Sequence, residues 1–400
     1  MKIGLISPPT NFLEYNGFPP LPLLYLDSYL NAHKYIDTQI IDLNVSNINK
    51  LPKTDVYAIS ATTPQFPHAI ELLPKLKELN PNSITIIGGA HASAIPDDCK
   101  DFDKVIIGNG EKALIQCLKD IETNKQKHIY IGEEIINLDE LPMPNRYKIN
   151  INDYNYYIDG ELSTLMMSSR GCPYSCLFCQ NGIRTNRTIR FHNNSYVIGE
   201  IQDIKNCGYK GIYFMDDMFT LRKDLLDLKS QLSKLKWQCQ IRADEKLNNI
   251  CKLGKMKCNR VSIGLESGSQ KILDIVNKNL LLNKVPNVIK ECKKNNIKVH
   301  PYLILGLPSE SHQTIEETIE FLRIIEPDSI GISIFVPYPG TYIYDHIEQF
   351  DIKIEENDYK KWHFRGGGEG YRSIVSTYDL TQEDILKYRE EIDREFNKIK

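Results

Sequence analysis

The sequence predicts an α/β protein in two parts, a doubly wound parallel sheet and then a partial (β/α)6 barrel, with a small helical segment at the C-terminal end. Three observations predict it. Short β-rich apolar runs alternate with stretches of helical apolar spacing along most of the 400 residues, the pattern of parallel sheets faced by helices. That length exceeds one ordinary domain. The run Leu141-Pro142-Met143-Pro144 then interrupts the alternation, because a proline biases the residue before it to extended backbone and ends regular structure.

In the first part, residues 1–150, strands are expected at Ile3 to Ser7, Thr38 to Leu43, Val56 to Ser60, Ser83 to Ile87 and Lys104 to Ile107. Between them Leu21 to Ala32, His68 to Leu79 and Glu111 to Glu122 carry apolar residues at helical spacing. This is a flavodoxin-like, Rossmann-like order, which binds ligands at the C-terminal ends of its strands. The loops expected there are rich in small and polar residues: Ser60-Ala61-Thr62, Gly88-Gly89-Ala90-His91 and Gly108-Asn109-Gly110.

The second part, residues 151–345, offers six strands: Ser163 to Ser168, Gly211 to Asp216, Trp237 to Arg242, Arg260 to Glu266, Lys298 to Leu305 and Ser329 to Val336. Six βα units make an incomplete TIM-like barrel, whose chemistry is expected at the C-terminal strand ends. The remainder, 346–400, holds Trp362-His363-Phe364-Arg365 followed by Gly366, Gly367 and Gly368, a stretch suited to a substrate lid or a turn. A charged amphipathic helix is expected from Thr381 onward.

Composition removes several classes. Hydrophobic residues make up 41%, charged residues 25%, and the formal net charge is -3. Neither nucleic acid nor an anionic membrane is expected as a general electrostatic partner. No apolar run reaches the roughly 18 residues of a membrane span, and the apolar part of the start is too short for a signal peptide. A cytoplasmic protein is expected, consistent with ten cysteines that show no disulfide framework. Cys99, Cys117, Cys207, Cys239, Cys251, Cys258 and Cys292 are scattered singly and read as structural thiols.

The other three are grouped. Cys172, Cys176 and Cys179 lie in Arg170-Gly171-Cys172-Pro173-Tyr174-Ser175-Cys176-Leu177-Phe178-Cys179, after the first expected barrel strand. Gaps of three and two residues let one loop aim three thiolates at one point, which suits an iron–sulfur cluster. With no fourth cysteine nearby, one iron of a four-iron, four-sulfur cluster keeps an open position. A zinc site would call for four ligands.

This spacing, with an aromatic residue before the last cysteine, resembles the signature of the radical S-adenosylmethionine (radical SAM) enzymes. The resemblance implies that Cys172, Cys176 and Cys179 ligate the cluster, whose open iron chelates S-adenosylmethionine (SAM) and cleaves it reductively to a 5'-deoxyadenosyl radical. Asp216 or Asp217, after the second strand, would accept from the methionine amino group; a helix cap is the structural alternative. Arg242 would meet the methionine carboxylate, or else pair with a neighbouring strand-end acid. Glu266, followed by Ser267, would accept from the ribose hydroxyls, or else pair with Arg242. Phe178, Gly306 and Phe335 would shape an adenine slot, or simply pack.

The N-terminal part, through Pro19-Pro20-Leu21-Pro22, Gly88-Gly89-Ala90-His91 and Gly108-Asn109-Gly110-Glu111, resembles the cobalamin (vitamin B12)-binding domain of a large radical SAM subfamily. Ser60, Thr62, Gly88, Gly89 and His91 are its implied binding residues. Related domains that ligate cobalt from below carry Asp-x-His-x-x-Gly, whereas Asn11 to Gly17 contains no histidine. The resemblance therefore implies cobalamin with no protein ligand on that face, and His91 as a pocket residue rather than a ligand. The function expected is methylation of an unactivated carbon in a small-molecule or natural-product substrate, with an electron donor such as flavodoxin or ferredoxin. Alternatives are cobalamin-dependent rearrangement or cyclisation, cobalamin-free radical SAM chemistry, and a non-enzymatic iron–sulfur sensor.

Overall fold

Two parallel sheets carry the alternation read from the sequence. The computed structural model describes residues 1–10, 17–180, 186–364 and 370–397. The glycine run expected as a lid, and most of the segment after the first strand, lie outside the described residues.

The first unit holds most of Met1–Tyr156 together with Asp358–Trp362. Its strands are β1 (Ile3–Ser7), β2 (Thr38–Asp42), β3 (Val56–Ser60), β4 (Ile84–Gly88), β5 (Lys104–Gly108) and β6 (Ile129–Gly132). They pair in parallel in the order β2-β1-β3-β4-β5-β6. Alternation along each strand divides its side chains between two faces. Val56 and Ala58 of β3 join a core with the helices Leu21–Ala32 and Gly110–Glu122. Tyr57 and Ile59 join another with the helix Phe66–Leu79. Burial on both faces explains why these strands read as continuous apolar runs.

The sequence reading missed β6. Its Ile129 and Ile131 are exposed, the latter at 77%, so at this edge only Tyr130 carries a burial signal. The proline-rich stretch is also more than a linker. Leu138 and Leu141 are buried in the first core, and Lys148 Nζ donates to Thr38 O at 3.1 Å.

The second unit holds Tyr157–Asn357 and His363–Lys400. Its strands are β7 (Tyr157–Ile158), β8 (Glu161–Met166), the short pair β9 (Ser169–Arg170) and β10 (Arg190–Phe191), then β11 (Gly211–Phe214), β12 (Lys236–Arg242), β13 (Arg260–Glu266), β14 (Lys298–Leu305) and β15 (Gly331–Ile334). The main sheet runs β15-β14-β13-β12-β11-β8-β7, parallel throughout except for the terminal hairpin of β7 with β8. The six expected strands are therefore the six parallel ones.

Period-two alternation decides what the strand ends present. In β12, Trp237, Cys239 and Ile241 are buried apolar residues, while Gln238, Gln240 and Arg242 share the opposite face. In β13, Val261, Ile263 and Leu265 are completely buried, leaving Ser262, Gly264 and Glu266 for the other face. Cross-strand bonds join this polar set: Gln240 Nε2 donates to the Tyr213 hydroxyl at 2.7 Å and Arg260 Nε to Gln238 Oε1 at 2.8 Å. Arg242 and Glu266 thus end neighbouring strands on one face.

The C-terminal helix Gln382–Phe396 starts at Thr381, whose Oγ1 accepts from Asp384 N. Its Ile385 and Ile392 are fully buried, and Arg323 and Glu395 pair through two bonds of 2.7 and 2.9 Å.

Candidate active site

The cysteine loop leaves β9 through Gly171, whose φ of +102° favours a residue without a Cβ. Its root is held by charge. Asp216, completely buried at the exit of β11, accepts from Ser168 N at 3.1 and 3.0 Å, from Ser168 Oγ at 2.8 Å and from Ser169 Oγ at 2.5 Å. Burial raises its pKa, opposed by these bonds and by Arg222. The Arg222 guanidinium in turn donates to Ser168 O at 2.7 Å and His192 O at 2.8 Å.

The body of the loop is tied to the chain after β13. Leu177 N donates to Val276 O at 3.0 Å, and Asn277 Nδ2 donates to Ser175 O at 3.0 Å and Ser175 Oγ at 2.9 Å. Leu177 O accepts from Ile343 N at 3.3 Å, and Gln180 Nε2 donates to Pro339 O. All three loop cysteines are partly exposed and outside any disulfide.

Among the described residues, no three His, Cys, Asp or Glu side chains are gathered closely enough to share one metal ion. Three cysteines on one loop suit a four-iron cluster with one open iron, whereas a structural zinc site calls for four ligands. Burial pushes the Cys172 and Cys176 thiols up. Lys278 and Arg242 act the other way on Cys176 and favour the thiolate that a metal requires. Asp217 acts on Cys172 and raises it further.

The two aspartates differ. Asp216 has both oxygens committed inside the protein, so it positions the loop; Asp217 is partly exposed beside Cys172. Arg242 is also largely committed. Nε donates to Asp244 Oδ1 at 2.8 Å, Nη2 to Asp244 Oδ2 at 3.1 Å and Asn279 O at 2.8 Å, and Nη1 to Lys278 O at 3.2 Å. Its guanidinium carbon lies 4.0 Å from the Tyr174 ring centroid. The strand-end salt bridge weighed for Arg242 is present, with Asp244.

Glu266 pairs with Lys278 rather than Arg242: Nζ donates to Oε1 at 2.5 Å. Oε2 accepts from no described residue. Glu266 takes φ +68° at a bulge between Gly264 and Glu266, an uncommon conformation for a non-glycine residue. A Cβ on Gly264 would stand 2.8 Å from Glu266 Oε1 and 2.9 Å from Lys278 Nζ, so the missing side chain makes room for the pair. Lys278 was absent from the sequence reading. It stands twelve residues after Glu266, and only the turn that follows the helix Gln270–Ile275 brings it back.

The remaining expected residues divide. Phe178 is partly exposed, with its ring centroid 5.8 Å from Lys278 Nζ. Ser267 is buried toward Thr318, the two hydroxyls 3.3 Å apart. Gly306 (φ +86°) is covered by the C-terminal segment: a Cβ there would meet Ile385 Cδ1 at 3.2 Å and Val375 Cγ2 at 3.4 Å. Phe335 is 2% exposed, with its N–H on Leu305 O at 2.7 Å. The structure therefore gathers the cysteine loop, Asp217, Arg242, Glu266 and Lys278, and leaves Ser267, Gly306 and Phe335 in packing.

In the first unit the exits of β3 and β4 touch backbone to backbone. A Cβ on Gly89 (φ +101°) would stand 2.6 Å from Ala61 O and 2.8 Å from Ala61 N. Around this contact Ser60, Gly88 and Gly89 are partly exposed and Thr62 is exposed. His91 stands behind them. It is 0% exposed, stacked on Phe66 at 3.9 Å between centroids, and burial lowers its pKa to about 4 despite Asp98 at 3.4 Å. A completely buried imidazole does not line an open pocket, so the position expected for His91 is corrected: it supports the loop from below.

Comparison with known proteins gives these geometries a context. The model of the radical SAM superfamily matches residues 166–322, and that of the B12 binding domain matches residues 15–118. An uncharacterised methyltransferase of Pyrococcus horikoshii is 31% identical over 385 residues, which span 86% of this chain and 83% of the relative. This chain belongs to the radical SAM superfamily. Another relative, the anaerobic magnesium-protoporphyrin IX monomethyl ester cyclase of Rubrivivax gelatinosus, is 25% identical over 87% of this chain and 69% of its own. The radical SAM methyltransferase of Kitasatospora setae, solved with cobalamin and an iron–sulfur cluster bound, shares the fold with a TM-score of 0.71 at 13% identity, covering 90% of this chain and 78% of that one.

Radical SAM membership with a B12-binding domain brings SAM, a four-iron cluster and cobalamin as cofactors, and the residues present fit them. Three cysteines share one loop, no described residue donates to Glu266 Oε2, and small residues floor the exits of β3 and β4. No helix among the described residues is long and apolar enough to cross a membrane.

Proposed function

We propose that this protein methylates an unactivated carbon of a small organic molecule, a natural product among the candidates, drawing electrons from a flavodoxin- or ferredoxin-type donor. One observation carries the reading: the cysteine loop, Asp217, Glu266 and Lys278 meet at the C-terminal strand ends of one barrel, in a chain whose other unit matches B12 binding.

When bound, SAM and the cluster supply one-electron removal of a substrate hydrogen, and cobalamin supplies the methyl group. The chain's own residues do the rest. Cys172, Cys176 and Cys179 hold three irons as thiolates. Asp217 accepts from the methionine ammonium, and Glu266 Oε2 accepts from a ribose hydroxyl. Asp216 and Arg242 hold the loop and the strand ends in place, and Phe178 offers adenine an apolar surface. Ser60, Thr62, Gly88 and Gly89 receive cobalamin. Pre-set polar partners of this kind act without reorganising during the reaction.

The cyclase relative supports a second reading, radical ring closure assisted by cobalamin. Anaerobic reconstitution with iron, sulfide and hydroxocobalamin, followed by SAM, reductant and product analysis, tests both. Methyl transfer yields S-adenosylhomocysteine together with 5'-deoxyadenosine; ring closure yields no S-adenosylhomocysteine. A reconstituted protein that releases neither product sinks both readings.

A further inference from the structure

The four residues Val276-Asn277-Lys278-Asn279 connect three parts of the site that lie far apart in sequence. Val276 O and the Asn277 side chain bind the cysteine loop at Leu177 and Ser175. The carbonyls of Lys278 and Asn279 receive the Arg242 guanidinium. The Lys278 ammonium takes Glu266 Oε1 at 2.5 Å and stands 5.8 Å from the ring of Phe178, which lies between Cys176 and Cys179. Asn277 and Asn279 both have positive φ, +52° and +50°, so a left-handed residue on either side turns the Lys278 side chain inward.

A buried ion pair is weak evidence for stability, since desolvation offsets much of the attraction. This one is 10% exposed on both sides and stands beside a metal-binding loop, where a fixed charge acts through a low local dielectric. Residues behind the ligands tune a metal centre, and net charge nearby is one of the levers on iron–sulfur potentials.

We propose that Lys278 is a positioning residue with two outputs. Its ammonium holds Glu266 so that Oε2 meets the ribose, and its charge raises the reduction potential of the cluster so that the donor's electron is accepted. The proposal rests on reading this site as a cluster and SAM site.

The test uses the full-length chain reconstituted anaerobically with iron and sulfide. The midpoint potential is measured by redox titration under paramagnetic resonance without SAM, and SAM affinity by anaerobic equilibrium dialysis without reductant. K278M is expected to bind iron and sulfide like the parent, to show a more negative midpoint potential, and to bind SAM roughly tenfold more weakly, about the low end of what a well-placed hydrogen bond to a charged group contributes. K278R keeps the charge and stays near the parent potential, whereas E266Q moves it positive. A K278M protein with parental potential and parental SAM affinity overturns the proposal.

Should K278M not hold a cluster, E266Q/K278M removes both members and leaves no lone buried charge. Its potential is expected below that of E266Q, and equal potentials for the two overturn the proposal. Failure of the functional reading looks different: the parent protein itself then assembles no cluster or cleaves no SAM.

Discussion

Asp216 Oδ1 accepts from Ser169 Oγ at 2.5 Å, so a carboxylate at the exit of β11 fixes the residue just before the cysteine loop. Its neighbour Asp217 is partly exposed and acts on Cys172. Substituting each should separate stability from binding. D216N turns an acceptor into a donor facing the Ser168 N–H, with an expected loss of about 2 to 3 kcal/mol on chemical denaturation and lower iron content after reconstitution. D217N should unfold like the parent and hold its iron, while SAM binding weakens in dialysis.

Cys172, Cys176 and Cys179 are expected to act as one set. Alanine at any one should abolish the visible absorption of the reconstituted cluster and reduce 5'-deoxyadenosine formation to background. Alanine at Cys251, whose thiol donates to Glu291 Oε1 at 3.1 Å, should leave both unchanged.

Glu310 makes stability depend on pH. Its Oε2 accepts from Gly306 N at 2.5 Å, Oε1 is buried without a partner, and burial raises its pKa to about 8. A carboxyl raised in the folded state is stabilising while protonated. Its contribution is complete below the usual carboxylate range and is lost as pH rises through about 8. The melting temperature of the parent should therefore fall between pH 6 and pH 9 relative to E310Q, which stays uncharged. Parallel curves for the two proteins would remove the effect.

His91 is expected to matter for packing and not for cobalt. H91A removes a ring stacked on Phe66 at 3.9 Å and should cost the first unit about 2 to 4 kcal/mol. The paramagnetic spectrum of bound cob(II)alamin should show no coupling to a protein nitrogen in either parent or variant. A nitrogen splitting that vanishes in H91A would contradict the buried placement.

Much of this was readable in advance. The parallel strands of both sheets, apart from β6, fall within a few residues of the runs read from the sequence, because burial on two faces forces long apolar stretches. The cysteine loop was readable because its thiols are local, three residues within eight. Lys278 was not, since nothing about a lysine in Asn277-Lys278-Asn279 signals that a turn returns it to Glu266. A salt bridge was one of the two alternatives read for Arg242, but its partner Asp244, two residues away, was not named.

By itself, then, the sequence determined the two-sheet architecture, the three-cysteine loop and the kinship to B12-binding proteins, all of which depend on periodicity or on closely spaced residues. Only the tertiary structure decided which acid of Asp216 and Asp217 is internal, that His91 lies behind its loop, and that Glu266 answers to Lys278. Those outcomes come from burial and from contacts between strand ends, and such distances have no counterpart in spacing along the chain.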